Sequence, residues 1–505
     1  MHDTPPTPGN RPLSPETPDR DRIGSLPLLA RLLLALLLRV VALDRSLWVD
    51  ETWTLGHSES FAQLVEHHFH PSGSDVHPPL YFVLVWLARF LSDNVTFLRA
   101  LFLPFGLVSL LFIARTGRLR GGSAAGLAAL FLASVSPAHI RYSVELRPYS
   151  LLLCFSSIAT FAFFRVRSGG GTRDRVLFVA ATALNLYTHL FAAILYAAQA
   201  LFLLLPGAGE RRSFPRDLLT AALPLLLFLP WSAAALDLAT RRVYRGTEGQ
   251  GIPGFVLFVR TLLQYLIGFS GGKAISFSAA TVLLLAGLAR LHRSPRFSLA
   301  IDGAMLLAPA ALFAALRPDH HPNVRYFLFI YPLWAVLVGA GAVGIGERIA
   351  RRPGRPRSTT IAILALLPVL LLFRHGERPE IWLRSDRWED VRRAIEERLA
   401  EGDAVVSEPE RFTVKRLLVP IAGPLLAAKL EERRSIKPPY GEPFRRTDPS
   451  CERIWAIVVG GGNRSDALRD AFAPLAAERR DYRLVECEAT LFRIDRGEAA
   501  EVEGK

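Results

Sequence analysis

Residues 122–165, GSAAGLAALFLASVSPAHIRYSVELRPYSLLLCFSSIATFAFFR, contain two apolar runs that flank a short charged segment. The first run covers 122–140 and the second covers 149–165. Each is close to the roughly 20 residues that a helix needs to cross the hydrocarbon core of a membrane. Because lipid offers the backbone no hydrogen-bond partners, such runs form helices, and the charged segment between them lies near a membrane surface.

The same pattern continues along most of the chain. Half of the 505 residues are apolar, and the mean hydropathy is +0.26. The sequence therefore predicts an α-helical polytopic membrane protein with about 11 transmembrane helices and further juxtamembrane helices. The predicted spans are residues 26–46, 96–114, 122–140, 149–165, 176–190, 191–206, 217–236, 272–291, 298–316, 326–346 and 359–373.

The net charge of +14 is spread over the loops between the apolar runs. Scattered charge of this kind argues against a nucleic-acid partner and follows the rule that cytoplasmic loops are rich in Arg and Lys. With the N-terminus in the cytoplasm, five Arg-rich loops lie on the inner side, at 115–120, 165–175, 211–216, 290–296 and 348–357. We therefore expect an integral membrane protein with the lipid bilayer as its surroundings. Arg far outnumbers Lys, which suggests a GC-rich bacterial genome and hence a bacterial inner membrane.

This alternation of sides requires that residues 77–91 do not cross the membrane. The stretch is short for a span and opens with two prolines after His77, so it is predicted to be a juxtamembrane helix at the outer interface. Residues 255–269 pose the same question and receive the same interpretation.

Three regions follow from this topology. Residues 1–22 are predicted to be a disordered cytoplasmic tail, residues 23–374 a transmembrane domain, and residues 375–505 an extracytoplasmic domain. The last region alternates predicted strands and helices, which indicates a small α/β domain. Its predicted strands are 403–407, 454–459 and 482–494, and its predicted helices are 386–400 and 465–479.

The three cysteines divide between the two large regions. Cys154 lies in an apolar run and is expected to be a packing residue. Cys451 and Cys487 lie in the C-terminal region, where they either form a disulfide or remain two free thiols.

Asp50 and Glu51 follow the first apolar run directly. Carboxyl groups that lose water at a membrane surface hold their protons more tightly, which suits a general base. The alternative is a structural role, since acidic residues also favour the first turn of a helix.

The segment 141–149 carries Tyr142, Glu145, Arg147 and Tyr149 between two apolar runs. Ionisable groups at a membrane boundary are costly unless they are paired or used. Guanidinium and phenol groups together suit a phosphate, because guanidinium binds phosphate oxygens in a bidentate fork. The alternative is an interfacial belt of Arg and Tyr side chains.

Arg325 and Tyr326 open a late apolar run, again at the predicted outer boundary, and have the same two interpretations. The first outer loop contains His67, His68, His70 and His77, which suggests a divalent metal site or solvated loop histidines, except that His77 begins the HPPLY element. His189, at an outer helix end, either faces a ligand or is packed.

These features come from distant parts of the chain, but the topology places them on one side of the membrane. A single site between the helices, open to the outer surface, would unite them. Nothing in the sequence resembles a phosphate-binding P-loop, so a cytoplasmic nucleotide is not implied.

In these motifs the sequence resembles the GT-C superfamily of glycosyltransferases, in the branch of the protein O-mannosyltransferases and the lipid A aminoarabinose transferases. The order and spacing fit over residues 26–346, and the tail is similar to that of bacterial members. The matching elements are the Asp-Glu pair at 50–51, HPPLY at 77–81, the 142–149 segment, Arg325-Tyr326 before Pro332, WEDV at 388–391 and GDAVV at 402–406.

The resemblance implies a polyprenyl-phosphate-sugar donor used on the extracytoplasmic side and an acceptor hydroxyl on a glycolipid, a polysaccharide or a protein. It makes Asp50 the catalytic base of an inverting transfer. Arg147 and Arg325 would stabilise the departing phosphate. The other residues of the motifs would bind or orient the donor's phosphate or sugar: Glu51, His77, Tyr142, Glu145, Tyr149 and Tyr326.

One departure from the family pattern concerns the donor phosphate. The aminoarabinose branch usually carries Lys where this chain has His77, and His is not a permanent cation near neutral pH. Some relatives use a divalent metal and this branch often does not, so a metal is possible and no metal ligands are assigned.

Two other functions fit a polytopic membrane protein. A transporter or flippase for lipid-linked sugars would place its charged groups at mid-membrane, often on broken helices. A non-catalytic membrane scaffold explains the C-terminal domain but not the Asp-Glu pair. Carboxylates and arginines at the outer boundary favour the enzyme over both.

Overall fold

A computed structural model describes residues 25–43, 47, 49–69, 77–205, 214–245, 254–270, 274–292, 299–316, 323–350, 388–401, 403–408, 426, 453–459, 473, 476–483 and 488–495. The predicted tail 1–22, the predicted span 359–373, His70, Cys451 and Cys487 lie outside these residues.

The described part of the chain is mostly helical. Its helices are α1 (Ser25–Val41), α2 (Val49–His57), α3 (Phe61–His68), α4 (Leu80–Arg89), α5 (Val95–Val135), α6 (Pro137–Val144), α7 (Tyr149–Arg167), α8 (Thr172–Leu186), α9 (Ala192–Leu204), α10 (Phe214–Arg245), α11 (Gly254–Phe269), α12 (Ala274–Leu291), α13 (Leu299–Leu316), a 3-10 helix (Val324–Ile330), α14 (Tyr331–Ala350) and α15 (Trp388–Glu396).

The helical membrane fold predicted from the apolar runs is confirmed. Ten of the eleven predicted spans, from 26–46 to 326–346, coincide with helices, and the eleventh is the undescribed 359–373. Five described helical segments are long and apolar enough to cross a membrane, and the others are shorter. Those five are Val95–Val135, Tyr149–Arg167, Phe214–Leu236, Ala274–Leu291 and Val324–Ile349.

Two predicted spans differ in detail from the helices that form. Residues 96–114 and 122–140 belong to α5, whose two halves meet at a kink where Gly122 has φ +84°. The second half ends at Val135, because Ser136 and Pro137 begin the separate helix α6. Serine before proline is a strong helix-start signal, with the Ser136 hydroxyl accepting from the backbone N–H of His139.

The stretches predicted to be juxtamembrane both form helices. Helix α4 has 10 residues and α11 has 16. At 1.5 Å per residue, α4 covers only about 15 Å, half the thickness of a hydrocarbon core.

Helix α14 lies at the centre of the bundle, packed against α5 and α12. Glycines allow the α12–α14 contact, because a Cβ on Gly287 would meet the Leu337 carbonyl oxygen at 1.9 Å and one on Gly341 would meet the Leu283 carbonyl oxygen at 1.8 Å. Close approach through small residues is a common way for helices to associate in membranes.

Buried ion pairs join helices near the Arg-rich segments 115–120 and 165–175. Arg120 of α5 donates to Asp302 of α13 at 2.5 Å, and Arg175 of α8 pairs with Asp217 of α10 at 2.6 Å. The Asp217 and Asp302 side chains are almost inaccessible, so each pair compensates a charge that burial would otherwise penalise.

The C-terminal region contains a four-stranded sheet, with strands β1 (Ala404–Glu408), β2 (Arg453–Val459), β3 (Glu478–Arg483) and β4 (Glu488–Asp495) in the order β1-β2-β4-β3. Strands β1 and β2 are parallel, and β4 is antiparallel to β2 and β3. The predicted small α/β region is therefore confirmed as a sheet accompanied by α15.

Two expectations within this region were wrong in their boundaries. The predicted strand 482–494 is two strands, and the predicted helix 465–479 cannot extend to Arg479, because β3 begins at Glu478. The sequence of β3, ERRDYR, is charged and has no apolar alternation. Charged edge strands of this kind form by backbone pairing with a neighbour, which local sequence does not reveal.

Candidate active site

Asp50 lies in the first turn of α2, where the structural interpretation of the Asp-Glu pair also placed it. Asp50 does more than cap the helix locally, because it binds a residue that is distant in sequence. Arg325 Nη1 donates to Asp50 Oδ2 at 2.6 Å, and the two residues are 275 positions apart. The two side chains are 23% and 18% exposed, respectively. A partly open carboxylate beside a guanidinium is therefore accessible to a polar ligand.

Glu51 points in a different direction and is fully buried. Arg99 of α5 donates to it twice, from Nε to Oε1 at 3.0 Å and from Nη2 to Oε2 at 2.5 Å. The backbone N–H of Leu146 donates to the same carboxylate at 2.7 Å. Glu51 thus ties α2 to α5 and to the turn between α6 and α7.

That turn, residues 145–148, carries Arg147 back to the start of α2. Arg147 Nη1 donates to the Asp50 carbonyl oxygen at 3.2 Å and to Thr54 Oγ1 at 3.3 Å. Its Nη2 lies 3.4 Å from His77 Nε2. The Arg147 guanidinium therefore stands on the same helix terminus as the Asp50 carboxylate.

Glu145 is buried at the start of the same turn and lies 3.5 Å from Arg141, one helical turn earlier. The four guanidinium groups Arg99, Arg141, Arg147 and Arg325 face three carboxylates, which leaves one positive charge in excess. The excess favours an anionic ligand.

Aromatic side chains pack close to these charges. The Tyr142 and Tyr149 rings pack edge to face with centroids 5.2 Å apart. Tyr326 lies against Phe191 and Phe313, with centroids 5.7 and 6.3 Å away, and the Arg325 guanidinium stands over the Tyr326 ring at 5.5 Å.

The loop before α4 brings His77 to the junction of α8 and α9. The Leu80 N–H donates to the Tyr187 carbonyl oxygen at 3.1 Å, and the His77 and His189 ring centroids are 5.4 Å apart. The ring centroids of Tyr149 and His189 are 6.4 Å apart.

Tyr81 of the HPPLY element is completely buried beneath this group. Burial, followed by the charge of Glu51, raises the pKa of its phenol well above the usual value, although Arg147 opposes the shift. Tyr81 therefore remains a neutral hydroxyl at physiological pH.

The structure thus brings the nine predicted site residues into one connected group. Asp50 and Arg325 are partly exposed, whereas Glu51 and Glu145 are buried. Sequence reasoning missed Arg99 and Thr54 and left His189 undecided. Arg99 carried a signal, since an arginine inside the apolar run 96–114 demands a partner. Thr54 and His189 stand out only through their neighbours.

The histidines of the first outer loop form a packed group instead of an open one. His57 stacks on His67 with centroids 4.0 Å apart, and His68 stacks on Phe82 at 3.9 Å. Within the described ranges, no group of three or more His, Cys, Asp or Glu side chains is arranged to hold a metal ion.

Comparison with known proteins supports the resemblance stated from the sequence. A family model described as dolichyl-phosphate-mannose-protein mannosyltransferase matches residues 76–233. That range includes the HPPLY element and the whole 141–149 segment. A search of the curated proteins finds no match.

Solved structures of membrane glycosyltransferases have a similar fold. ArnT from Cupriavidus metallidurans bound to undecaprenyl phosphate shows 14% identity and a TM-score of 0.51 over 93% of this chain and 98% of that chain. In its apo state the values are 14% and 0.50, over 92% and 97%.

The Archaeoglobus fulgidus oligosaccharyltransferase, solved as a complex with Zn and sulfate, shows 14% identity and a TM-score of 0.51 over 86% of this chain and 68% of that chain. The fold of this chain is therefore that of the GT-C membrane glycosyltransferases, as the motifs predicted.

Proposed function

We propose that this chain is a membrane glycosyltransferase that moves a sugar from a polyprenyl-phosphate donor to an acceptor hydroxyl. The observation that carries the proposal is the Asp50–Arg325 ion pair with Arg147 on the same helix terminus. It places an accessible carboxylate against one guanidinium group and a second guanidinium group on the backbone of the same residue, which suits a base beside a phosphate.

The donor phosphate binds Arg325 and Arg147, because guanidinium groups match phosphate oxygens in geometry and charge. His77 and the Tyr142–Tyr149 pair border this position and orient the phosphate or the sugar. The ArnT structure that holds undecaprenyl phosphate supports a lipid phosphate as the ligand class.

Asp50 acts as the base. Its carboxylate takes the proton of the acceptor hydroxyl while the acceptor oxygen forms a bond to the anomeric carbon from the face opposite the phosphate. The bond between the anomeric carbon and the phosphate oxygen breaks, and its electron pair leaves with the polyprenyl phosphate. The configuration inverts, and the two arginines stabilise the charge on the leaving group.

The ion pair gives this reaction an order of events. A bound donor phosphate competes with Asp50 for Arg325. When the Arg325 guanidinium pairs with the phosphate instead, the Asp50 carboxylate can take the proton of the acceptor.

Glu51 takes no part in these steps, because Arg99 and Leu146 bind its carboxylate. Glu51 instead positions α2 and the 145–148 turn. Glu145 positions the turn through Arg141.

The reaction takes place at the outer face of a bacterial inner membrane, with the N-terminus in the cytoplasm. The Arg-rich segments 115–120 and 165–175 support this orientation, because each follows along a helix that begins near the site, α5 at Val95 and α7 at Tyr149. Residues 23–374 form the catalytic domain, and residues 375–505 form an extracytoplasmic domain. The acceptor is a glycolipid, a polysaccharide or a protein hydroxyl.

A donor panel tests the proposal. Purified protein in lipid vesicles is incubated with radiolabelled polyprenyl-phosphate sugars and a cell-envelope extract, with and without a chelator, beside Asp50→Asn. We expect transfer from one donor and its loss in the variant. Absence of transfer from every donor, with unchanged growth of cells carrying Asp50→Asn, would instead favour a transporter. Sensitivity to the chelator would reveal a required divalent metal.

A further inference from the structure

A buried arginine and a buried histidine pair with each other inside the helical bundle, and the proposed reaction uses neither. Arg39 lies in the last turn of α1 and His139 near the start of α6, and both side chains are fully buried. Arg39 Nη2 lies 2.8 Å from His139 Nδ1. Because ionisable side chains are costly within a membrane protein of this kind, the pair requires a structural or functional reason.

Backbone carbonyl oxygens compensate the charge of Arg39. Its Nη1 donates to the carbonyl oxygens of Ala35 at 2.8 Å and Ser134 at 3.1 Å, and its Nη2 donates to that of Ala133 at 3.5 Å. Ala133 and Ser134 lie in the last turn of α5, where the carbonyls have no partner within the helix and carry the negative end of its dipole. Arg39 therefore caps α5 and joins it to α1.

Hydrogen bonds run in one direction through the His139 ring. Arginine only donates, so His139 Nδ1 accepts from Arg39, and the proton of the neutral ring lies on Nε2. Nε2 then donates to Ser109 Oγ at 2.8 Å, and the Ser109 hydroxyl donates to the Gly106 carbonyl oxygen at 2.7 Å. The imidazole is therefore held at both nitrogens, by α1 at one and by the first half of α5 at the other.

Two segments that carry the phosphate-binding arginines meet at His139. His139 belongs to α6, which leads directly into the turn that carries Arg147. Its ring packs edge to face on Tyr331, with centroids 5.4 Å apart. Tyr331 follows directly after the 3-10 helix that carries Arg325. The position of the His139 ring is therefore linked to both arginines, which are far apart in sequence.

The segment that leads to Asp50 is attached to the same histidine. Asp50 follows α1 in the chain, and Arg39 attaches α1 to His139. The start of the connection between α1 and α2 is also held, because the Leu43 carbonyl oxygen accepts from Arg99 Nη1 at 3.0 Å. The same guanidinium binds α2 through the carboxylate next to Asp50 in the chain. The placement of Asp50 therefore depends on these contacts.

We propose that His139 and Arg39 are positioning residues of the donor phosphate site. They fix the spacing between the segments that carry Asp50, Arg147 and Arg325, so that both guanidinium groups reach one phosphate with the carboxylate beside it. The inference rests on the proposed function and adds two residues that act through their neighbours. A displacement of about 1 Å can cost a site about a hundredfold in rate, so residues outside the site can control it.

A purely structural role is the alternative, because buried polar contacts also hold membrane helices together. Two serine variants of the purified full-length protein separate the two roles. Ser109→Ala removes the hydroxyl that binds His139 Nε2 and the Gly106 carbonyl oxygen. Ser134→Ala is the matched control in α5, because the buried Ser134 hydroxyl donates to the Leu130 carbonyl oxygen of the same helix. Native mass spectrometry compares binding of undecaprenyl phosphate with binding of undecaprenol.

We expect the wild type and Ser134→Ala to prefer the phosphate lipid equally, within about twofold, and Ser109→Ala to lose about fivefold or more of that preference. Undecaprenol binding should not change, which shows that the variants are folded. An unchanged preference in Ser109→Ala, or an equal loss in Ser134→Ala, would overturn the positioning role and leave the proposed function in place. A wild-type protein that does not distinguish the two lipids would count against the proposed function itself.

Variants of His139 test the bond from Arg39 separately. His139→Asn keeps an acceptor close to the Nδ1 position, whereas His139→Leu keeps a comparable volume without an acceptor. We expect His139→Leu to lose about tenfold or more of the preference for the phosphate lipid, and His139→Asn to stay within about threefold of the wild type. An equal loss in both variants would show that the ring acts only by packing, and would contradict positioning through Arg39.

Discussion

Asp50 and Glu51 are neighbours in the chain, yet their carboxylates have different partners. Asp50 meets Arg325 at a partly open position, and Glu51 meets Arg99 in the interior. Consecutive residues of a helix point in directions about 100° apart, so one pair of carboxylates can serve both chemistry and packing. The motif predicted that a carboxylate matters here, but the sequence could not distinguish the two roles.

The buried Glu51–Arg99 pair should show strong energetic coupling. Glu51→Gln and Arg99→Gln each leave a buried group without its charged partner, which costs about 3–5 kcal/mol in comparable pairs. The double variant should lose clearly less stability than the sum of the two. Thermal unfolding in detergent measures all three, and simple additivity would show that the pair is not coupled.

Arg325 should resist replacement by lysine. Arg325→Lys keeps the charge but loses the planar fork that binds two oxygens, so we expect the donor KM to rise about tenfold. The control is Arg165→Lys, because Arg165 has a 44% exposed side chain and pairs with Asp174 in an Arg-rich loop. Steady-state transfer assays compare the two, and equal effects would remove Arg325 from the phosphate site.

At the scale of elements, the apolar runs predicted helix positions well, because membrane helices must satisfy their backbone internally. The breaks inside the runs are harder to predict. Ser136-Pro137 carried a readable start signal for α6, whereas the kink at Gly122 and the 3-10 start of the last described span depend on packing. Strand β3 was also not predicted, because it forms by backbone pairing with β4 and its own sequence shows no strand pattern.

The contact between α12 and α14 should be intolerant of even one methyl group at its glycines. Gly287→Ala places a Cβ at 1.9 Å from the Leu337 carbonyl oxygen, which forces the central helix α14 to move. We expect a loss of about 1–3 kcal/mol or more in stability. Gly303→Ala in α13 has no atom within 4 Å of its added Cβ and should be neutral or slightly stabilising. Equal melting temperatures in detergent would show that α12 and α14 separate easily.

At the scale of the whole molecule, the site unites residues from position 50 to position 326. The charge of the loops was enough to predict that these residues share one side of the membrane. The charge of the loops could not predict which of these residues are in contact, because that depends on how α5, α7 and α14 pack. Arg99 and His189 belong to that part of the site.

Surface labelling tests the orientation of the molecule. In a variant without Cys154, Cys451 and Cys487, Glu59→Cys just after α2 should react with a membrane-impermeant maleimide in intact spheroplasts. Arg173→Cys at the start of α8, in an Arg-rich loop, should react only after permeabilisation. Both side chains are exposed, so access to reagent is the only variable. The reverse pattern would place the site at the cytoplasmic face.

Single-turnover kinetics of Asp50→Asn test the central claim most directly. With the donor identified by the panel, the sugar transfer rate and the donor dissociation constant are measured separately for the wild type and the variant. Base catalysis by Asp50 predicts a rate lower by about a hundredfold or more, with the donor bound no more than a few-fold differently. Transfer at the wild-type rate in Asp50→Asn would contradict the assignment of Asp50 as the base.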